Sequence, residues 1–370
     1  MHSLRIDILI MKYWRVNMWN LCPCPNPESG YMDDKMYDEY IQKLKHEDYD
    51  GVILFCQTEF EHYNIPRYKE IIDIARERNL TVYALMGVDH DYENTPEHVK
   101  IISWPSNFCR ETLEQLLHWY NNGRRQIESI DQILIKNLDD LTYKYHLVYL
   151  NGKSHIWRSL LLDTVAKHDL LKYSAYSWHA DYTGNPPYPF KYYDGAKKVL
   201  DNQFAEIKDQ GWLPKEYYES FFQLVPESTL KTLFITEKSM VPLIVGKPFL
   251  VAGRKGINRK IESLGFKLYD ELFDYSFDDI EDTEQRYDAI CEQMKKICAL
   301  PLEKCKEYNS VLQDKITYNR NKAIELAYDP NQMPELARNI IKHYDETGEK
   351  IDWWLIETER RLRDIKNKYF

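Results

Sequence analysis

Apolar positions follow two alternating patterns along the chain. Short runs of β-type residues predict strands at Arg5–Ile10, Gly51–Cys56 (GVILFC), Leu80–Met86 (LTVYALM) and Val99–Trp104. Helical spacing between them predicts helices at Asp34–His46, with Tyr37, Tyr40, Ile41 and Leu44 on one side, at Tyr68–Arg78 and at Cys109–Tyr120. GVILFC is apolar at every position, which suits a parallel strand covered on both faces. This β-α-β-α rhythm predicts a Rossmann-like, doubly wound unit.

A second unit begins near Tyr145. His146–Leu150 reads as a strand, Asn151-Gly152 as a turn and Ile156–His168 as a helix. Gly184–Pro189 (GNPPYP) is a loop. Phe221–Val225 and Pro248–Ala252 are strands with a helix, Thr236–Ile244, between them. Arg259–Leu264 is a short helix, and Phe266–Tyr269 leads into an acidic loop. Thr283–Ala327 is mostly helical, followed by helices at Asn331–His343 and Ile351–Lys368. In the last, Ile351, Trp354, Leu355, Thr358, Leu362 and Ile365 form one stripe. The expected fold is therefore α/β. It has a first Rossmann-like domain over residues 1–144, a second over 145–330, and a helical extension over 331–370 packing across their junction. Two such domains predict a cleft, and α/β proteins bind ligands at domain clefts and at the carboxyl ends of parallel strands.

Composition narrows the class. The chain is 44% hydrophobic and 29% charged, which excludes a mostly disordered or fibrous protein. No apolar run reaches the roughly 18–20 residues of a membrane span. His2, Arg5, Asp7, Lys12 and Arg15 interrupt Met1–Asn20, so that stretch does not read as a signal peptide. Seven cysteines without a secretion signal then predict reduced thiols and a cytoplasmic location. Cys22 and Cys24 have no matching pair at zinc spacing. Cys291, Cys298 and Cys305 share a helix face and read as small packed hydrophobes. A net charge of −10 argues against indiscriminate nucleic-acid binding while leaving room for a local basic groove.

The most informative segment is Phe221–Gly253 (FFQLVPESTLKTLFITEKSMVPLIVGKPFLVAG). A strand runs into Pro226-Glu227-Ser228-Thr229, and Thr236-Glu237-Lys238 opens a helix that Thr236 can cap. Backbone N–H groups at a helix start attract anions, and Lys238 adds a cation there against the preference of the helix dipole. A bound phosphate reverses that preference, and Glu237 could accept from ribose hydroxyls. The bland alternative is a capped helix with surface charges. Lys247–Lys260 holds Lys247, Arg254, Lys255, Arg259 and Lys260 and no acid, as a solvated loop or as a contact for donor phosphate or a polyanionic acceptor such as DNA. Trp178-His179, Tyr188 and Tyr192-Tyr193 could stack on a base or sugar ring, or simply pack.

The arrangement of strand, Glu-Ser, Phe-Ile-Thr-Glu-Lys, helix, Lys-Pro-Phe, strand and Gly resembles the donor-binding motif of glycosyltransferase family ten, the α-1,3-fucosyltransferases. It resembles still more the glycosyltransferase-like proteins of tailed phages and large DNA viruses. The block Tyr149–Arg158 (YLNGKSHIWR), with the helix after it and Tyr176-Ser177-Trp178, is similar to theirs. So is Leu264–Tyr269 with Phe273-Asp274 and Ser276-Phe277-Asp278. The likeness covers about residues 145–300.

The resemblance implies a GT-B-like enzyme with a nucleoside-diphosphate sugar in the C-terminal domain and the acceptor in the N-terminal one. It places Arg158, Glu237 and Lys238 on the donor. Asn151, His155, Glu227, Ser228 and Thr236 stand beside them as donor contacts, and Arg254 and Lys255 as acceptor contacts. Fixed cations and a helix N-terminus can stabilise a departing diphosphate without a metal. No cofactor is then required beyond a UDP- or GDP-sugar donor.

An inverting enzyme also needs a general base. Glu59, Glu61 and His62 follow one predicted strand, and Asp89, His90 and Asp91 another. Asp89-His90-Asp91 also fits an Asp-x-Asp metal motif, although the metal-free arrangement already meets the same charge demand. The expected partner is the nucleotide sugar. The expected acceptor is a hydroxyl, on a hydroxymethylated base of double-stranded phage DNA or on a glycan or protein. A non-catalytic nucleotide-sugar or glycan binder of the same fold is the alternative.

Overall fold

The computed structural model describes residues 13–17, 34–56, 66–86, 95–104, 106–119, 133–152, 155–179, 188–200, 213–227, 230, 233, 235–348 and 353–369. It is a mixed α/β protein with two parallel sheets, compatible with a Rossmann-like fold. Its contacts divide it into two units. One comprises Met1–Asn107 with Asp329–Arg363, and the other Phe108–Tyr328 with Asp364–Phe370.

In the first unit, β1 (Tyr13–Asn17), β2 (Gly51–Cys56), β3 (Thr81–Met86) and β4 (Val99–Ser103) lie side by side in chain order, all parallel. The predicted strand Arg5–Ile10 lies outside the described residues. The strand observed beside β2 is β1, with Tyr13 opposite Gly51 and Asn17 opposite Phe55. Helices α1 (Asp34–His46) and α2 (Pro66–Glu77) connect the strands. α1 buries Tyr37, Ile41 and Leu44, one helical face as its spacing predicts, and leaves Tyr40 half-buried. The Tyr37 hydroxyl donates to the Arg67 carbonyl and the Glu70 carboxylate, both at 2.9 Å, tying α1 to α2.

The C-terminal helices α11 (Glu335–Thr347) and most of α12 (Trp353–Tyr369) belong to this first unit. Met333, Leu336, Ala337, Ile340, Ile341, Leu355 and Ile356 pack in one buried cluster with Ile53, Leu85 and Trp104 of the sheet side. Residues 329–363 therefore contribute to the first unit's core.

The second unit starts earlier than residue 145. It takes in α3 (Asn107–Trp119) from Phe108 onward and the segment 133–144. Hydrogen bonds explain the shift. Ile135 donates its amide to the Val245 carbonyl at 2.7 Å. The Tyr143 hydroxyl donates to Asn309 at 3.0 Å, and the Leu138 amide donates to Gln313 at 3.0 Å.

The second sheet contains β5 (Tyr145–Tyr149), β6 (Ser174–Tyr176), β7 (Ser220–Pro226) and β8 (Phe249–Ala252), all parallel, in the spatial order β6-β5-β7-β8. Helices α4 (Ile156–Lys167), α5 (Lys215–Tyr218), α6 (Glu237–Val245) and α7 (Ile257–Ser263) alternate with the strands. Helices α8 (Thr283–Cys298), α9 (Leu302–Cys305) and α10 (Asn309–Tyr328) follow. α8 packs on α4 and α10 on α6. Every residue of β7 and β8 is buried, as strands covered on both faces require. Cys291, Cys298 and Cys305 are buried free thiols, as expected of packed hydrophobes, but they do not share one helix face: α8 ends at Cys298, and Cys305 lies on α9 beyond Pro301. Burial pushes Cys298 up to about 12 and Cys305 to about 11. Among the described residues, no helix is long and apolar enough to cross a membrane.

Candidate functional site at the switch point of the second sheet

The order β6-β5-β7-β8 has one reversal. From β5 the chain crosses to β6 on one side, and afterwards to β7 on the other. The connections leave β5 and β7 in opposite directions, and the carboxyl ends of two such strands are where open α/β sheets bind ligands. The chain supplies Asn151 just past β5, Arg158 in the first turn of α4, Glu227 just past β7, and Glu237 and Lys238 in the first turn of α6. Two motifs some eighty positions apart in sequence thus meet at one point of the fold, and neither alone reveals it.

Glu227 organises the β7 side. It is fully buried, and its amide donates to Ala252 O at 3.1 Å, extending the ladder to β8. Its carboxylate accepts the Thr236 amide (3.2 Å), the Thr236 hydroxyl (2.9 Å) and the Ser239 hydroxyl (2.7 Å). Burial pushes its pKa up, against the pull of Lys238 and of the Ser239 and Thr236 hydrogen bonds. Glu227 stands just past β7, beside the expected donor site. Its oxygens are engaged by Thr236 and Ser239, and the residue fixes where α6 begins.

Thr236 is the N-cap of α6 as expected, and its hydroxyl oxygen accepts the Lys238 amide at 3.2 Å. That cap occupies part of the helix end meant for an anion. The other end of α6 stops at Gly246 in the left-handed region (φ 93°), where Arg320 donates to the Ile244 and Val245 carbonyls at 3.2 Å each. The Lys238 ammonium is paired with the Glu237 carboxylate, both partly exposed. Burial opposes ionisation of Glu237, but Lys238 and, more weakly, Arg158 prevail and hold its carboxyl below the usual range. Arg158 therefore lies close enough to act on the Glu237–Lys238 pair.

The β5 side is built on Tyr149, which is fully buried. Its hydroxyl donates to the Arg158 carbonyl at 3.0 Å, and Asn151 Nδ2 donates to that hydroxyl oxygen at 3.3 Å. Ser177 Oγ accepts the Asn151 amide at 3.1 Å, and the His179 amide donates to Asn151 O at 3.3 Å. His155 occupies the N-cap position of α4, half-buried, without a side-chain capping bond. The helix end left without a side-chain cap is therefore that of α4, not α6.

On that turn stands Arg158, only 3% exposed. It lies near enough to Tyr149 and Tyr287 to act on both hydroxyls. Its Nε and Nη2 have no hydrogen-bond partner among the described residues. These two nitrogens form the side-on edge of the guanidinium, the fork that clasps two oxygens of a phosphate or carboxylate. Buried donors are almost always paired, and one that is not calls for an explanation such as a ligand. Sequence alone missed Tyr149, Ser239 and Tyr287 as supports. The TEKS tetrapeptide offered a signal for Ser239, but nothing marked Tyr287, which reaches the site from α8.

The basic stretch changes character in the fold. Lys247 is buried beneath the sheet, its ammonium against the Ser220 carbonyl and 5.0 Å from the centre of the Tyr217 ring. Burial lowers its pKa to about 7. Lys255 pairs with Glu281 at 2.8 Å and Arg259 with Asp279. Arg254 lies near Glu281 as well. The acids missing from Lys247–Lys260 come from the acidic loop that follows, so the expected cationic patch is largely neutralised.

The aromatic loop packs upon itself. Trp178 is buried edge-on to Phe190 (5.6 Å), which in turn meets Tyr193 (5.2 Å). Asp163 holds this loop by accepting the amides of Lys191, Tyr192 and Tyr193 at 2.8–3.1 Å. Tyr192 remains exposed.

Ser228 and the catalytic-base and metal candidates Glu59, Glu61, His62, Asp89, His90 and Asp91 lie outside the described residues. Among the described residues, no cluster of three or more His, Cys, Asp and Glu could hold a metal. No model of a known protein family matches the chain, and no curated protein matches it.

Proposed function

We propose that the protein is a glycosyltransferase whose second unit binds a nucleoside-diphosphate sugar with the diphosphate at the β5–β7 switch point. The observation that carries this reading is the buried side-on edge of Arg158, which has no partner among the described residues, in the first turn of α4 and close to the Glu237–Lys238 pair. Carboxylate and ammonium of that pair cancel, so Arg158 leaves the turn with one positive charge for an anion to answer. A diphosphate supplies the oxygens for Arg158 and draws the Lys238 ammonium toward itself. Glu237, kept ionised, is then released to accept ribose hydroxyls. As the sugar–phosphate bond breaks, charge builds on the leaving diphosphate, and these prearranged cations stabilise it more than the ground state.

The likeness to glycosyltransferase family ten favours this chemistry over other uses of a phosphate site, and the GT-B arrangement belongs to the same reading. Glu59, Glu61, Asp89 and Asp91 remain the candidates for the base. The ion pairs of Lys255 and Arg259 favour a glycan or other small hydroxyl acceptor over the backbone of duplex DNA.

Release of UDP or GDP from a panel of nucleotide sugars tests the proposal. The native protein should turn over at least one donor, and Arg158→Met should lower kcat by about 100-fold or more, the usual cost of losing one fixed donor to a developing oxyanion. Turnover by Arg158→Met at the native rate would refute the assignment. Binding of nucleoside diphosphate without any turnover would leave a non-catalytic binder of the same fold.

A further inference from the structure

We infer that Asn151 recognises a hydroxyl of the ligand, so that the site selects a phosphate attached to ribose or sugar over a bare polyphosphate. This rests on the diphosphate reading above and names what must accompany the diphosphate. Asn151 is only 1% exposed, and its Oδ1 has no hydrogen-bond partner among the described residues. The neighbouring network fixes which way the amide faces. The Tyr149 hydroxyl carries one hydrogen, and that hydrogen goes to the Arg158 carbonyl. The hydroxyl can therefore only accept from Asn151, so Nδ2 must face it and Oδ1 must face away. Flipping the amide would require the Tyr149 hydroxyl to give up its bond to the Arg158 carbonyl.

The site therefore presents two unpartnered donors on Arg158 and one unpartnered acceptor on Asn151, joined through Tyr149 by two hydrogen bonds. A fully ionised phosphate only accepts. It answers Arg158 and leaves Asn151 Oδ1 unmet. A hydroxyl a few bonds from the phosphate answers both, and it comes from the nucleotide's ribose or from the transferred sugar. A phosphate of duplex DNA has no hydroxyl to offer here. A buried acceptor left unsatisfied penalises the ligand that fails to meet it, which is how polar sites discriminate hydroxyl from hydrogen.

Calorimetric titration of the native protein and of Asn151→Ala with pyrophosphate, UDP, GDP, their 2′-deoxy and 3′-deoxy forms and the matching nucleotide sugars tests this. If the ribose is read, one deoxy form should bind native protein roughly tenfold more weakly than its parent, and the difference should vanish in Asn151→Ala. If the sugar is read, the deoxy forms should match their parents. The nucleotide sugar should then bind more tightly than the diphosphate in the native protein only. Pyrophosphate should bind both proteins equally. The inference is overturned if Asn151→Ala weakens pyrophosphate as much as the nucleotides, or weakens none of them. Should Asn151→Ala fail to fold, equal binding of every deoxy form and sugar conjugate to native protein overturns it alone. Failure of the native protein to bind pyrophosphate and every nucleotide would instead bring down the diphosphate reading itself.

Discussion

Replacing Arg158 with methionine should make the ligand-free protein more stable. The guanidinium is 3% exposed, and two of its nitrogens are buried without partners. Each buried donor left unsatisfied costs about 1–3 kcal/mol. Methionine follows the same path through the core with no donor to strand. Against this stands the lost attraction to Glu237, which is partly exposed and already paired with Lys238. The net gain should be about 1–3 kcal/mol. For the unit formed by Phe108–Tyr328 and Asp364–Phe370, each kcal/mol raises the unfolding midpoint by about 2–4 °C. Thermal unfolding of both proteins, with and without UDP and GDP, reads this out. Native protein should gain stability with nucleotide, and Arg158→Met should start higher and gain nothing. A ligand-free Arg158→Met that unfolds at a lower temperature than native would show instead that the guanidinium has a structural partner.

Two further outcomes follow from groups away from the site. Burial lowers the Lys247 pKa to about 7, so between pH 7 and its ordinary value of 10.5 the folded state binds fewer protons than the unfolded state. Stability should therefore rise with pH across that window, by at most about 5 kcal/mol in all. Urea titrations at pH 7 and 9.5 should show the rise in native protein and a much flatter response in Lys247→Met. At Gly246 a Cβ would overlap the Arg320 guanidinium and lie 2.9 Å from Ile316 Cγ2, at a φ of 93°. Gly246→Ala should cost about 2–4 kcal/mol from the left-handed backbone and the displaced Arg320 cap, seen as a lower urea midpoint.

Much of the fold was legible in the sequence because its strands are short and apolar throughout. GVILFC, LTVYALM and the runs around Phe222 and Leu250 could be little else, and the helical stripes of α1 and α8 were equally plain. What local pattern does not carry is which strands pair. The reversal at β5 depends on contacts such as Leu147 with both Ser174 and Phe222, and it alone makes Asn151, Arg158, Glu237 and Lys238 neighbours. The same limit hid the membership of residues 329–363, which are fixed by Leu336 and Ile340 meeting Ile53 and Leu85.

Charge was misread for a related reason. Lys255 and Arg259 look like a basic loop until Glu281 and Asp279 fold against them, and Lys247 looks solvated until Ser220 and Tyr217 enclose it. Thr236 was read correctly as a cap because capping is local. The hold of Ser239 on Glu227 is not legible locally, because Ser239 sits a turn into the next helix.

In the proposed function, Arg158 receives a diphosphate at the switch point. Titration calorimetry of UDP and GDP into native protein and Arg158→Met tests it most directly. Native protein should bind at least one of the two saturably, and Arg158→Met should bind neither. Equal binding to both proteins, or none to native protein, would contradict it.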